Sequence, residues 1–102
     1  EKWLVLGDML ELGNDEQSMH EEIFAHIDHH KISYVCLYGP RMKWLYEKLQ
    51  AKFDADHLVY SEQDYDPIIN KIKLNATSES IILVKGSRGM QLEKIIQSNE
   101  LA

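Results

Sequence analysis

The chain has 102 residues, 44% of them hydrophobic, the size of one compact domain near the lower end of what supports its own core. A formal net charge of −6, without any cluster of Lys and Arg, argues against a general nucleic-acid binder, which must neutralise a run of phosphates. Cys36 is the lone cysteine, so no disulfide can form within one chain; no apolar run approaches the roughly 20 residues that span a bilayer, and no basic region followed by an apolar one opens the chain. A cytoplasmic protein without a membrane partner is expected.

The opening run Lys2-Trp3-Leu4-Val5-Leu6 already reads as a strand, from Trp3 to Leu6, with no initiator methionine before it. The chain is therefore expected to be a piece of a longer protein. The turn Leu6-Gly7-Asp8-Met9-Leu10-Glu11-Leu12-Gly13 follows. A first helix has Asn14 as N-cap, Gln17 three residues on, and an apolar face of Met19, Ile23, Phe24 and Ile27. It ends in a histidine-rich turn. The second strand, Tyr34 to Tyr38, carries Cys36 as a small buried hydrophobe. A second helix begins after Gly39 with Pro40 in its first turn, and Met42, Leu45, Tyr46, Leu49 and Phe53 recur at helical spacing. A third strand is read at His57 to Tyr60. The third helix starts at Asp66-Pro67, buries Ile68, Ile69 and Ile72, and gives way to a polar loop from Asn75 to Glu79. Last come a buried strand from Ser80 to Val84, the turn Lys85-Gly86-Ser87-Arg88-Gly89-Met90, and a helix burying Leu92, Ile95 and Ile96.

Strand and helix signals thus alternate, the pattern of a three-layer α/β domain with a mostly parallel sheet of about four strands and helices on both faces. Right-handed crossovers bring the carboxyl ends of such strands to one edge, where ligands bind in open α/β folds. Asp8, Gly39 and the turn from Lys85 to Met90 are expected to be neighbours there. Lys85, Ser87 and Arg88 offer two cations, a hydroxyl and backbone N–H groups, and Asp8 offers an anion, which suits a zwitterionic ligand or one with two differently charged ends. Gly7, Gly13, Gly86 and Gly89 shape the two loops. Lys85, Ser87 and Arg88 read equally as a solvated turn, and Asp8 equally as a cap for nearby N–H groups.

Other chemistry is excluded by spacing. Gly7 and Gly13 do not fit GxGxxG, and Lys85-Gly86-Ser87 is not a GxxxxGK[ST] loop, so ATP hydrolysis by this chain alone is not expected. His20, His26, His29 and His30 fit a solvated helix end better than a metal site, and His20-Glu21-Glu22 lacks the HExxH spacing. No nucleophile triad can be assembled. A thiolate of Cys36 inside a buried strand is neither stabilised nor accessible. Neither a catalytic residue nor a metal ligand is expected.

At its two glycine loops the chain resembles the C-terminal domain of the Mur ligases. The carrying residues are Leu6-Gly7-Asp8-Met9-Leu10-Glu11-Leu12-Gly13, followed by His20, and Val84-Lys85-Gly86-Ser87-Arg88-Gly89-Met90 with Leu92-Glu93. Within the family the resemblance is to the ligase that adds D-alanyl-D-alanine in peptidoglycan synthesis. It implies a Rossmann-like third domain of an enzyme whose N-terminal domain holds the UDP-sugar and whose central domain holds ATP and Mg2+. In that family ATP phosphorylates the carboxylate of UDP-N-acetylmuramoyl-tripeptide, and the amine of D-alanyl-D-alanine displaces phosphate to form the amide. The third domain positions the dipeptide and closes over the nucleotide, so the chain on its own is expected to be inactive. A sister ligase that adds a diamino acid has Lys-Gly-His-Glu where this chain has Lys85-Gly86-Ser87-Arg88, and Arg88 reverses the charge of that glutamate. The resemblance thereby implies Arg88, with Lys85, as partners of the dipeptide carboxylate, Ser87 as an aid to anion binding, Asp8 as a group that steers the ammonium end or orders the opposing loop, and His20 as a structural contact.

The P-loop, the magnesium ligands and the Asn-rich segment that opens the third domain of the family are not in this sequence. The resemblance therefore implies a sheet that lacks a strand, with the order first, fourth, second, third and the first strand exposed. The competing reading is a receiver-like or other flavodoxin-like signalling or nucleotide-binding module. A receiver requires an aspartate at the end of a middle strand, where this chain has Tyr38-Gly39-Pro40 or Tyr60-Ser61.

Overall fold

The computed structural model describes residues 2–8 and 22–85. Strand β1 is Lys2–Gly7, residues 22–26 are helical (α1), β2 is Tyr34–Tyr38, a 3-10 turn at Pro40–Met42 leads into α2 at Lys43–Leu49, β3 is Leu58–Ser61, α3 is Asp66–Asn75, and β4 is Ile81–Lys85. The expected cap at Asn14, the contact of Met19 and the helix through Leu92, Ile95 and Ile96 lie outside the described residues. Among the described residues no helix is long and apolar enough to cross a membrane.

All four strands are parallel, in the order β3-β2-β1-β4. Successive residues of a strand face opposite sides, and the sheet sorts its apolar residues accordingly. Leu4, Leu6, Val35, Leu37 and Leu58 meet Ile27, Met42, Leu45, Leu49 and Phe53 on the side of α1 and α2. Trp3, Val5, Cys36 and Tyr38 meet Ile68 and Ile72 of α3 on the other. A run such as Trp3-Leu4-Val5-Leu6 is apolar throughout because helices cover both of its faces. The expected α/β layering with helices on both sides is the observed one.

The expected strand order is corrected. The first strand is central, paired with β2 and β4, and its Trp3 is 1% exposed. The fourth strand, read as buried, lies instead at the edge of the described sheet, with Ile81 61% and Leu83 51% exposed while Ile82 and Val84 pack against the α3 side. Chain direction places β2 and β3 successively to one side of β1, and the α3 crossover then returns to its other side. The reversal of winding therefore falls between β1 and β4.

Cys36 is fully buried, and burial pushes its thiol up to about 12 against a smaller opposing effect of the Lys71 charge. Because the folded state holds the proton more tightly, the stability associated with the neutral thiol is complete below its ordinary value near 9.0 and is lost as pH rises toward about 12. Cys36→Ala is expected to flatten this part of the profile. Urea titrations at pH 8 and pH 10 should show the wild type losing more stability between the two than the variant does, and equal losses would contradict the buried thiol.

Candidate functional site

The reversal between β1 and β4 is where an open α/β sheet leaves a crevice beyond its carboxyl ends. β1 delivers Gly7 and Asp8 to that edge, and β4 delivers Lys85, whose register partner is Leu6 of β1. Lys85 is exposed and Gly7 buried. Gly13, His20, Gly86, Ser87, Arg88 and Gly89 lie outside the described residues, so of the residues singled out in the sequence Asp8, Gly7 and Lys85 are the ones whose placement is seen.

Backbone hydrogen bonds continue past the strand ends and tie their turns together. The Asp8 N–H donates to the Tyr38 carbonyl at 3.2 Å, and the Gly39 N–H donates to the Ser61 carbonyl at 2.8 Å. The Met42 N–H donates back to the Gly39 carbonyl at 3.1 Å, closing the turn on which Pro40 and Arg41 sit. Gly39 itself has φ 113° and ψ 153°, a conformation available almost only to glycine. An added Cβ there would lie 2.5 Å from the Asp8 carboxyl carbon, so the glycine lets the carboxylate come up against the turn.

Asp8 is 0% exposed. Its Oδ2 accepts a hydrogen bond from the Arg41 backbone N–H at 3.1 Å, and Arg41 Nη1 lies 3.9 Å from the same oxygen. The Arg41 side chain remains 42% exposed. Burial, then the charges of Glu62 and Asp8, raise the Tyr60 hydroxyl above its ordinary value. Tyr60 stacks on Tyr46 at 5.2 Å, and Tyr38 on Tyr65 at 4.5 Å, so aromatic rings pack beside the carboxyl ends of β2 and β3. This edge combines the sequestered carboxylate of Asp8, the partly exposed side chain of Arg41 and the exposed Lys85.

Arg41 was not singled out in the sequence. Its neighbour Pro40 reads as the start of a helix, and the stripe beginning at Met42 draws attention to the core. The available signal was position: Gly39-Pro40-Arg41 directly follows the carboxyl end of a strand, as Asp8 and Lys85 do.

The histidine-rich turn lies at the opposite edge of the sheet. The His29 and His30 rings lie 4.0 Å apart, tilted by 38°, and, with Ser33, Lys52, Asp54 and His57, line an open cavity of about 290 Å³. His57 Nδ1 meets Asp54 Oδ1, which holds the Asp54 carboxyl below its ordinary value. Among the described residues no group of three or more His, Cys, Asp or Glu could hold a metal ion.

Known proteins place the fold and the family together. The family model for the Mur ligase, glutamate ligase domain, matches residues 1–88. The UDP-N-acetylmuramoyl-tripeptide--D-alanyl-D-alanine ligase of Bacillus subtilis (strain 168) is 40% identical over 94% of this chain and 21% of its own length. Its counterpart from Rickettsia prowazekii (strain Madrid E) is 33% identical over 93% of this chain and 20% of its own. The chain thus spans about a fifth of the length of these relatives. The crystal structure of MurF ligase from Thermotoga maritima in complex with ADP superimposes with a TM-score of 0.74 at 20% identity, over 100% of this chain and 23% of that one. MurF from Acinetobacter baumannii gives 0.71 at 21% identity, over 94% of this chain and 21% of that one. With a family model matching most of its length and a sheet of the same fold, this chain belongs to the Mur ligase, glutamate ligase domain family.

Proposed function

We propose that the chain is the third, C-terminal domain of a ligase that joins D-alanyl-D-alanine to UDP-N-acetylmuramoyl-tripeptide, and that it presents the dipeptide to the reacting carboxylate. Both relatives described above carry that ligase's name. The observation that carries the reading is the meeting of Gly7 and Asp8 after β1 with Lys85 at the end of β4, at the reversal between the two strands. The N-terminal and central domains of the same protein supply the nucleotide-sugar site and the ATP site. ATP converts the tripeptide carboxylate to an acyl phosphate, the dipeptide amine attacks its carbonyl carbon, and phosphate leaves with ADP already formed.

In this reading the described domain contributes position and charge, not a nucleophile. Lys85, with Arg88 and Ser87 beyond it in sequence, faces the dipeptide's carboxylate end. Asp8 takes the second of its two expected roles, ordering the opposing loop, because its carboxylate is buried against the Gly39 turn. Mg2+, when bound, would be held by the central domain and would supply charge neutralisation of the phosphates there. The protein works in the cytoplasm, where the nucleotide substrates are.

The full-length enzyme tests this directly. Arg88→Ala is expected to raise the KM for D-alanyl-D-alanine about tenfold or more, since a charge-assisted contact contributes roughly 1.5–3 kcal/mol, while the KM for ATP stays within twofold. Unchanged dipeptide kinetics would remove Arg88 from the site, and a wild-type enzyme that forms no adduct with the dipeptide would overturn the reading itself.

A further inference from the structure

We infer that Asp8 is a positioning residue that presets Arg41 as a second carboxylate-binding group on the β2 side of the crevice. The identity of the ligand, the dipeptide's terminal carboxylate, rests on the ligase reading; the coupling between Asp8 and Arg41 rests on geometry alone. Asp8 is fully buried, so a ligand cannot reach its carboxylate without displacing the Gly39 turn. Its Oδ2 accepts a hydrogen bond from the Arg41 backbone N–H and lies at ion-pair distance, 3.9 Å, from Arg41 Nη1. The guanidinium is thereby drawn toward the buried charge, while the side chain keeps 42% of its surface exposed.

A flexible arginine loses rotamer freedom when it captures a ligand, and a carboxylate behind it removes part of that cost in advance. The orienting carboxylate must lie out of the ligand's reach, or it would repel the anion that Arg41 is to bind. Burial behind a residue without a side chain provides that separation, and Gly39 is that residue. Asp8 and Arg41 come from different βα turns, so the first turn of the domain sets the geometry of the second.

Two measurements test the inference. In the full-length enzyme, Arg41→Ala is expected to raise the KM for D-alanyl-D-alanine tenfold or more and that for ATP less than twofold. Asp8→Asn, which keeps the acceptor oxygen but not the charge, is expected to raise the dipeptide KM three- to fivefold. In the Arg41→Ala background the same Asp8→Asn change is expected to add nothing, because its effect runs through Arg41. An equal rise in both backgrounds overturns the positioning role. On the 102-residue chain itself, the Arg41 Nη–H resonances are expected to be dispersed in the wild type and to move to the position of solvated arginines in Asp8→Asn, with backbone amide dispersion retained as the folding control. A resonance that stays in place overturns the coupling even if the ligase reading holds. Failure of wild-type ligation, by contrast, would sink the reading and the named ligand while the resonance still judges the coupling.

Discussion

Gly39→Ala is expected to destabilise the domain by about 3 kcal/mol, the sum of a backbone and a packing cost. At φ 113° and ψ 153° the residue occupies a region essentially restricted to glycine, where a side chain costs roughly 1–3 kcal/mol. The new methyl would also stand 2.5 Å from Asp8 Cγ and Oδ1 and 2.7 Å from Oδ2. That carboxylate has little room to retreat, being buried and bonded to the Arg41 N–H, and overpacking of this kind costs a further ~1–3 kcal/mol. Domains of this size are stable by only about 5–15 kcal/mol, so the variant should unfold at a clearly lower urea concentration. A loss below about 1 kcal/mol would mean that the turn relaxes to another conformation. Combining Gly39→Ala with Asp8→Ala separates the two costs, since removing the carboxylate relieves the collision and leaves the backbone strain. The double variant should therefore lose less than the sum of the single changes.

The residues that announced themselves in the sequence did so through local chemistry. Tyr34–Tyr38 is bounded by Ser33 and Gly39 and emerges as β2 with the expected ends, and Asp66-Pro67 opens α3 as its composition implies. Burial was easier to read than secondary structure. Met42, Leu45, Leu49 and Phe53 are all in the core, yet Met42 belongs to a 3-10 turn and Phe53 reaches the core from beyond the end of α2 at Leu49. Which strand lies in the centre is tertiary information, and the order taken from resemblance exchanged the first and fourth strands. A physical cue was nevertheless present, because Trp3-Leu4-Val5-Leu6 has no polar residue and so requires cover on both faces. The run from Ile81 to Val84 is equally apolar, and composition alone could not show that Ile81 and Leu83 face outward from the described sheet. At the site, Asp8 was legible as a residue of interest but not as a buried one. The Gly39 turn that hides it comes from a segment more than thirty residues later, as the separation of 33 between Asp8 and Arg41 records.

The corrected strand order predicts a large asymmetry between core truncations. Trp3→Ala is expected to cost about 4 kcal/mol, within the ~3–5 kcal/mol found when a buried aromatic residue is removed. Trp3 is 1% exposed, packs with Val5, Cys36, Ile68 and Ile72, and stacks on Tyr34 with ring centroids 4.0 Å apart and planes 12° from parallel. Tyr34 in turn lies against His57 at 4.8 Å and has Lys71 Nζ 5.9 Å from its ring, so the cavity would loosen contacts reaching β3 and α3. Leu83→Ala on β4 removes a side chain that is already 51% exposed and should cost less than about 1 kcal/mol. Because Trp3→Ala consumes much of the stability of a small domain, Trp3→Phe provides a folded intermediate case, with an expected loss of about 1.5 kcal/mol. Urea midpoints for the three variants should fall in the order Leu83→Ala, Trp3→Phe, Trp3→Ala, from least to most destabilised. A larger loss for Leu83→Ala than for Trp3→Phe would instead place β4 in the interior and β1 at the edge. The switch point would then move away from the crevice holding Asp8 and Lys85, and the site with it.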